Sequence, residues 1–322
     1  MSHKKPFALV FPGQGSQSVG MLKALAAAHP LVEQTFKEAS EVLGFDLWAL
    51  VQNGPEAELN RTAVTQPALL AADIACYRVW RAQGGPAPDY AAGHSLGEYA
   101  ALVAAGSLDF AKAVGLVAER GRVMQEAVPE GMGAMAAILG LQDPDVRVLC
   151  EECAENEVLA AANYNAPGQV VIAGTRAAIE RALPIAKKMG AKRAILLAVS
   201  VPSHCELMRP AAARLASYLA AMAVRPPLFP VLHNRSVETA DQPNEIRNAL
   251  INQLFSPVRW VETVTRLSAL GAQYVLECGP GKILTGLNKR ITDRSCLTLG
   301  EPADFGAALV EIQSPLTSED RV

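Results

Sequence analysis

Hydrophobic and polar positions alternate along the chain in blocks that predict a layered α/β protein. The run 7–11 (FALVF) is apolar at five consecutive positions and stops at Pro12-Gly13, as expected of a short strand buried on both faces. A second apolar stretch at 89–92 predicts another strand. Helical spacing covers 71–80 and 111–126, so the order strand, helix, helix, strand, helix points to a parallel sheet. From 131 to 200 the pattern changes. It predicts a strand at 134–139, a helix after Pro144, strands at 158–163 and 169–173, a helix from Arg176 and a strand at 193–198. That order, β-α-β-β-α-β, is the split, ferredoxin-like unit. Further strands are expected at 230–233 and 273–277, with a turn at 279–282 opening the last helix. The expected architecture is a hydrolase-like α/β domain from 1–126 and 199–322, with a ferredoxin-like small domain, 127–198, inserted into it.

Composition narrows the function classes. The chain has 322 residues, 50% hydrophobic and 19% charged, which excludes a disordered or charge-driven polymer. Its 29 Lys and Arg against 32 Asp and Glu leave a net charge of -3, so no dominant nucleic-acid or anionic-membrane surface is expected. No run of about 18 apolar residues offers a membrane span, and a soluble, cytoplasmic protein is expected. The six cysteines at 76, 150, 153, 205, 278 and 296 are too sparse for a disulfide scaffold. Cys150 and Cys153 form a C-x-x-C without a second pair and read as reduced thiols on a helix. Neither a metal nor a cofactor is expected.

The chemistry centres on Gly93-His94-Ser95-Leu96-Gly97, a G-x-S-x-G between an apolar stretch and a helix-forming one. Strand, sharp turn and helix are the parts of a nucleophile elbow, which exposes the serine hydroxyl at a helix N-terminus. Such a serine needs a base. Of the five histidines, His3 lies at the N-terminus, His29 at a helix end and His94 on the nucleophile's own turn, while His233 reads as structural. His204, on a polar loop after the small domain, is the best candidate. The Gly-rich stretch 11–17 (FPGQGSQ) lacks the third glycine of a dinucleotide fingerprint and instead offers a backbone N–H to an oxyanion hole. Arg120 stands on an otherwise apolar helix, either as an exposed charge or as an inward carboxylate clamp; Arg122 points to another face and reads as solvated.

Taken together, 11–17, 65–68 (TQPA), 93–99 (GHSLGEY), 120–121 with 124–131, 163–165 with 167–174, 201–204 (VPSH), 253–257 and 277–281 resemble the malonyl-CoA:acyl carrier protein transacylase family. The tail after about Thr292 matches nothing specific. The resemblance implies a hydrolase-like fold with a ferredoxin-like insert. It implies Ser95 as acyl-accepting nucleophile, His204 as its base and Arg120 as partner of the malonyl carboxylate. It also implies oxyanion donors at the N–H groups of Gln14 and Leu96, orientation of His204 by the main-chain carbonyl of Gln253, and a pocket lined by Gln66, Asn163 and Gln169. Malonyl-CoA and the phosphopantetheine arm of acyl carrier protein are the implied partners, in fatty-acid synthesis. The alternatives are a free-standing acyltransferase serving a polyketide synthase and an α/β-hydrolase esterase or thioesterase. In the latter the order is normally Ser, Asp or Glu, His, with the histidine near the C-terminus.

Overall fold

The computed structural model describes residues 4–199 and 201–314, and in it the first apolar run becomes the central strand β1 (Phe7–Phe11), buried at every position. Its Phe7 N–H donates to the Asp89 carboxylate at 2.9 Å, which leaves Asp89 outside the next strand. That strand, β2 (Tyr90–Gly93), pairs parallel to β1. Between them lie five helices, α1 (Lys23–Ala28), α2 (Leu31–Leu43), α3 (Leu47–Asn53), α4 (Glu56–Leu59) and α5 (Thr62–Ala82), rather than the two expected. The helix expected from 71 begins nine residues earlier. Gln66 and Pro67 are both buried inside α5. Proline lacks an N–H, but it lies in the second turn, where the helix loses a single bond.

After β2 come α6 (Gly97–Ala104) and α7 (Phe110–Ala127). The Asp109 side chain caps α7 by accepting from the Lys112 N–H. Gly121 is where α7 crosses α5: a Cβ there would sit 2.6 Å from Ala63 Cα. The missing side chain thus lets the two helices approach until Gln66 and Arg120 meet.

The second sheet follows as β3 (Gly133–Leu139), α8 (Asp143–Ala154), β4 (Leu159–Ala166), β5 (Gln169–Thr175), α9 (Arg176–Lys188) and β6 (Arg193–Leu196). Its spatial order is β4-β5-β3-β6, with every pairing antiparallel. The period-2 rule assigns its faces. Ala134, Ala136 and Ile138 pack with Val146, Leu149 and Ile179 of α8 and α9. Met135 and Ala137, the alternate positions, face a cavity. Cys150 and Cys153 are buried on α8, and burial pushes the Cys150 thiol up to about 12.

The chain then returns through a short 3-10 turn to α10 (Arg209–Ala221), β7 (Val231–Leu232), α11 (Pro243–Gln253), α12 (Trp260–Ala269), β8 (Tyr274–Glu277) and α13 (Ile283–Asn288). As far as Ser314, the tail without a matching motif is structured. It forms β9 (Ser295–Thr298) and α14 (Pro302–Gln313), the helix opened by a capping box between Glu301 and Asp304. The large sheet is ordered β7-β2-β1-β8-β9 and is parallel throughout. The fold class is therefore α/β, a parallel sheet joined to a separate antiparallel one. The carboxyl ends of β1 and β2 carry the 11–17 loop and the Ser95 turn, the edge where open parallel sheets place their ligands.

Candidate active site

Ser95 occupies the turn between β2 and α6 with φ of 52°, a left-handed backbone that a non-glycine residue adopts only when its surroundings enforce it. Two glycines make that turn. A Cβ on Gly93 would fall 1.8 Å from the Gly97 carbonyl carbon, and one on Gly97 would fall 2.0 Å from the Phe11 carbonyl oxygen. The Ser95 N–H donates to Asn234 Oδ1 at 2.7 Å, while Asn234 Nδ2 donates to the Gly93 carbonyl at 2.6 Å. Asn234, just beyond β7, thereby staples both sides of the elbow.

His204 lies on the loop after β6, also with positive φ (63°), and is 3% exposed. Its Nδ1 is 2.9 Å from the Gln253 carbonyl oxygen and its Nε2 is 2.8 Å from Ser95 Oγ. A carbonyl only accepts, so in the neutral ring Nδ1 carries the hydrogen and Nε2 is left to accept from the serine hydroxyl. Burial, with the Arg120 charge added, pushes the imidazole down to about 3. The ring is therefore neutral, the form a general base must have.

Arg120 points inward and is 1% exposed. Its Nη1 donates to Gln66 Oε1 at 2.8 Å; its Nη2 donates to Gln253 Oε1 at 2.9 Å and to Ser95 Oγ at 3.3 Å. The guanidinium carbon lies 5.3 Å from the Tyr99 ring centroid. Among the described residues no carboxylate pairs with it, and its Nε is buried without an acceptor. Burial lowers its proton affinity, yet an arginine stays charged. An unpaired buried cation beside a hydroxyl is a built site for an anion. Arg122, by contrast, faces outward and pairs with Glu119 and Glu126.

These groups line one cavity of about 300 Å³ between the parallel sheet edge and the inner face of the antiparallel sheet. Gln14, Gln66, Ser95, Leu96, Arg120, Asn163, Gln169 and His204 all contribute to its wall. Gln253 stands behind it. Two hollows of about 730 and 510 Å³ on the outer surface are larger, but no histidine lines either. The Leu96 and Gln14 N–H groups find no hydrogen-bond acceptor among the described residues. Gln169 Oε1 accepts from Arg290 at the rim, and Asn163 Oδ1 is buried without a partner. His94 turns to Asn165, 2.8 Å away, and packs on Trp260. His233 is buried against Glu98. His3 lies outside the described residues.

Sequence reasoning missed Asn234 and Glu98. The two belong to segments 136 residues apart that meet only in the folded protein, and no local spacing announces their contact. The signal available was the pair of polar residues, His233 and Asn234, directly after a strand of the parallel sheet.

The acyl transferase domain family matches residues 8–295. The malonyl CoA-acyl carrier protein transacylase of Escherichia coli strain K12 is 57% identical over 304 residues, covering 94% of this chain and 98% of its own. The solved transacylase of the same name from Coxiella burnetii superposes with a TM-score of 0.96 at 50% identity, covering 98% of this chain and all of that one. A malonyl-transacylase solved in complex with its type II PKS acyl-carrier protein gives 0.93 at 54% identity, over 96% and 99% of the two chains. With likeness over nearly its whole length, the chain belongs to the acyl transferase family, and within it to the malonyl CoA-acyl carrier protein transacylases.

Proposed function

We propose that the protein transfers the malonyl group of malonyl-CoA to the phosphopantetheine thiol of acyl carrier protein through a malonyl ester on Ser95, supplying fatty-acid synthesis. The observation that carries this reading is Arg120, a buried cation without a carboxylate partner, 3.3 Å from a hydroxyl that His204 is placed to deprotonate. In the first half-reaction His204 Nε2 takes the Ser95 proton as Oγ attacks the thioester carbon. The oxyanion accepts hydrogen bonds from the N–H groups of Leu96 and Gln14. Its collapse breaks the C–S bond, and His204 returns the proton to the coenzyme A thiolate. In the second half the carrier thiol gives its proton to His204, its sulfur attacks the ester, and Ser95 leaves as the hydroxyl.

Arg120 is assigned to the malonyl carboxylate, which the guanidinium fork grips with two parallel bonds. An acetyl group leaves that buried cation unpaired and is a poor donor. Gln66 and Gln253 hold the fork, and Gln253 orients His204 through its carbonyl. Asn163 and Gln169 are assigned to the pocket wall, where the unpartnered Asn163 Oδ1 suits an amide N–H of the pantetheine arm. We also divide the chain into a catalytic unit of 1–126 and 199–322 and an inserted unit of 127–198, which roofs the cavity with β3 and β5. Among the described residues no helix is long and apolar enough to cross a membrane, and we assign the protein to the cytoplasm.

A polyketide carrier is the second reading, favoured by the likeness to the transacylase solved with its type II PKS carrier. Side-by-side transfer rates to a fatty-acid carrier protein and a polyketide carrier protein separate the two. Faster transfer to the polyketide carrier overturns the first. A hydrolase reading fits poorly, because His204 is oriented by a carbonyl instead of an acidic side chain.

A further inference from the structure

Glu98 is the second residue of α6, three residues after the nucleophile, and is wholly buried. A carboxylate in that position is costly unless donors surround it, and an apolar residue would fill the space at lower cost. Three donors converge on it. His233 Nδ1 is 2.7 Å from one oxygen, and the Asn234 N–H and Gln253 Nε2 are each 2.9 Å from the other.

The Gln253 contact has a directional consequence. A side-chain amide fits its space in two orientations that exchange the oxygen and the NH2 group, and its neighbours select one. Carboxylate oxygens only accept, so Glu98 draws the NH2 toward itself; the Ser95 carbonyl, 2.9 Å from the same nitrogen, agrees. The amide oxygen is then turned to Arg120, whose Nη2 donates to it at 2.9 Å. The reversed amide would set NH2 against guanidinium and oxygen against carboxylate. The same carboxylate holds the backbone of Asn234, whose side chain staples the elbow.

The geometry points to Glu98 as a positioning residue: by fixing the polarity of the Gln253 amide, it holds the Arg120 fork in register with Ser95 and so supports selection of the malonyl group. This rests on the malonyl-transfer reading above. A carboxylate serving stability alone would affect all acyl donors equally; one acting through Gln253 and Arg120 affects the charged donor more.

The experiment is the ratio of kcat/KM for malonyl-CoA to that for acetyl-CoA, per folded molecule, in Glu98→Ala, Glu98→Asp and Glu98→Gln. The parent's malonyl labelling of Ser95 is scored separately, so failure of the transfer reading shows in the parent and failure of this one only in the variants. Glu98→Ala, and Glu98→Asp with its carboxylate drawn back by one methylene, lower the ratio by about tenfold, the scale of one charged hydrogen bond. Glu98→Gln keeps most of the ratio, because its oxygen still accepts from Gln253 while its NH2 meets a His233 that has moved its proton to Nε2. In a Gln253→Ala background, Glu98→Ala changes the ratio no further. If Glu98→Ala does not fold, Glu98→Asp carries the measurement. A parent-like ratio in the folded variants, with only thermal stability reduced, overturns the proposal. So does an undiminished further fall in the Gln253→Ala background.

Discussion

His204 Nε2 stands 2.8 Å from Ser95 Oγ, although 109 residues separate the two in the chain. The carbonyl of Gln253 behind the ring fixes the tautomer that makes this contact productive. Replacing His204 with Ala is expected to slow acylation of Ser95 by about a hundredfold or more, the scale of a lost general base. Stopped-flow acylation by malonyl-CoA measures it. An equal loss in His94→Ala at unchanged stability would move the base to the other ring.

The low proton affinity of His204 has two consequences with pH. The ring is held near 3 in the folded chain, against 6.5 as its ordinary value. Acylation is therefore expected to lack the inflection near 6.5 that an ordinary histidine base would give. For stability, the unfolded chain takes up a proton on this histidine below about 6.5 while the folded chain does not. The unfolded state then binds more protons, and this residue's contribution falls as pH drops from 6.5 toward 3. Denaturant midpoints of the parent and His204→Gln across that window test it: the parent's midpoint drops more steeply.

Arg120 separates a malonyl transferase from a general acyl transferase. Arg120→Ala is expected to lower the malonyl-to-acetyl ratio of kcat/KM by about a hundredfold, as befits loss of a charged, bidentate contact. Arg120→Lys recovers part of it, since a point charge lacks the planar fork. An unchanged ratio in Arg120→Ala would place carboxylate selection elsewhere.

Gly97 tests the elbow itself. A methyl group there meets the Phe11 carbonyl at 2.0 Å, so β1 and α6 must move apart. Gly97→Ala is expected to cost about 3 kcal/mol, at the upper end of overpacking effects, and to lower the thermal midpoint. Gly286→Ala, with open space around its Cβ position, serves as control and leaves the midpoint near the parent's.

Much of the fold was legible because its signals are local. The run 7–11 is uninterruptedly apolar since β1 is covered on both faces, and the order of the antiparallel unit follows from alternating periods in one contiguous stretch. The elbow is legible for the same reason, since strand, glycines and serine are consecutive. What escaped was decided by tertiary contacts. The helix expected from 71 begins at Thr62, and its first turns bury the polar Thr62, Thr65 and Gln66. β9 is a four-residue, partly exposed strand with little pattern to read, though the capping residues of α14, Glu301 and Asp304, were visible. Whether Arg120 points outward or inward is settled by the glycine after it, Gly121, which lets α7 approach α5. Glu98 lies within the 93–99 block and Asn234 directly after β7, but they meet across segments far apart in the chain, so no local spacing announces the contact.

Whether Ser95 accepts a malonyl group is read from the intact mass of the protein after brief exposure to malonyl-CoA, followed by peptide mapping. The expected result is a single malonyl adduct on the peptide containing Ser95, far less adduct with acetyl-CoA, none in Ser95→Ala, and loss of the adduct when the carrier-protein thiol is added. An adduct on another residue, or no adduct from malonyl-CoA in the folded parent, would rule out malonyl transfer through Ser95.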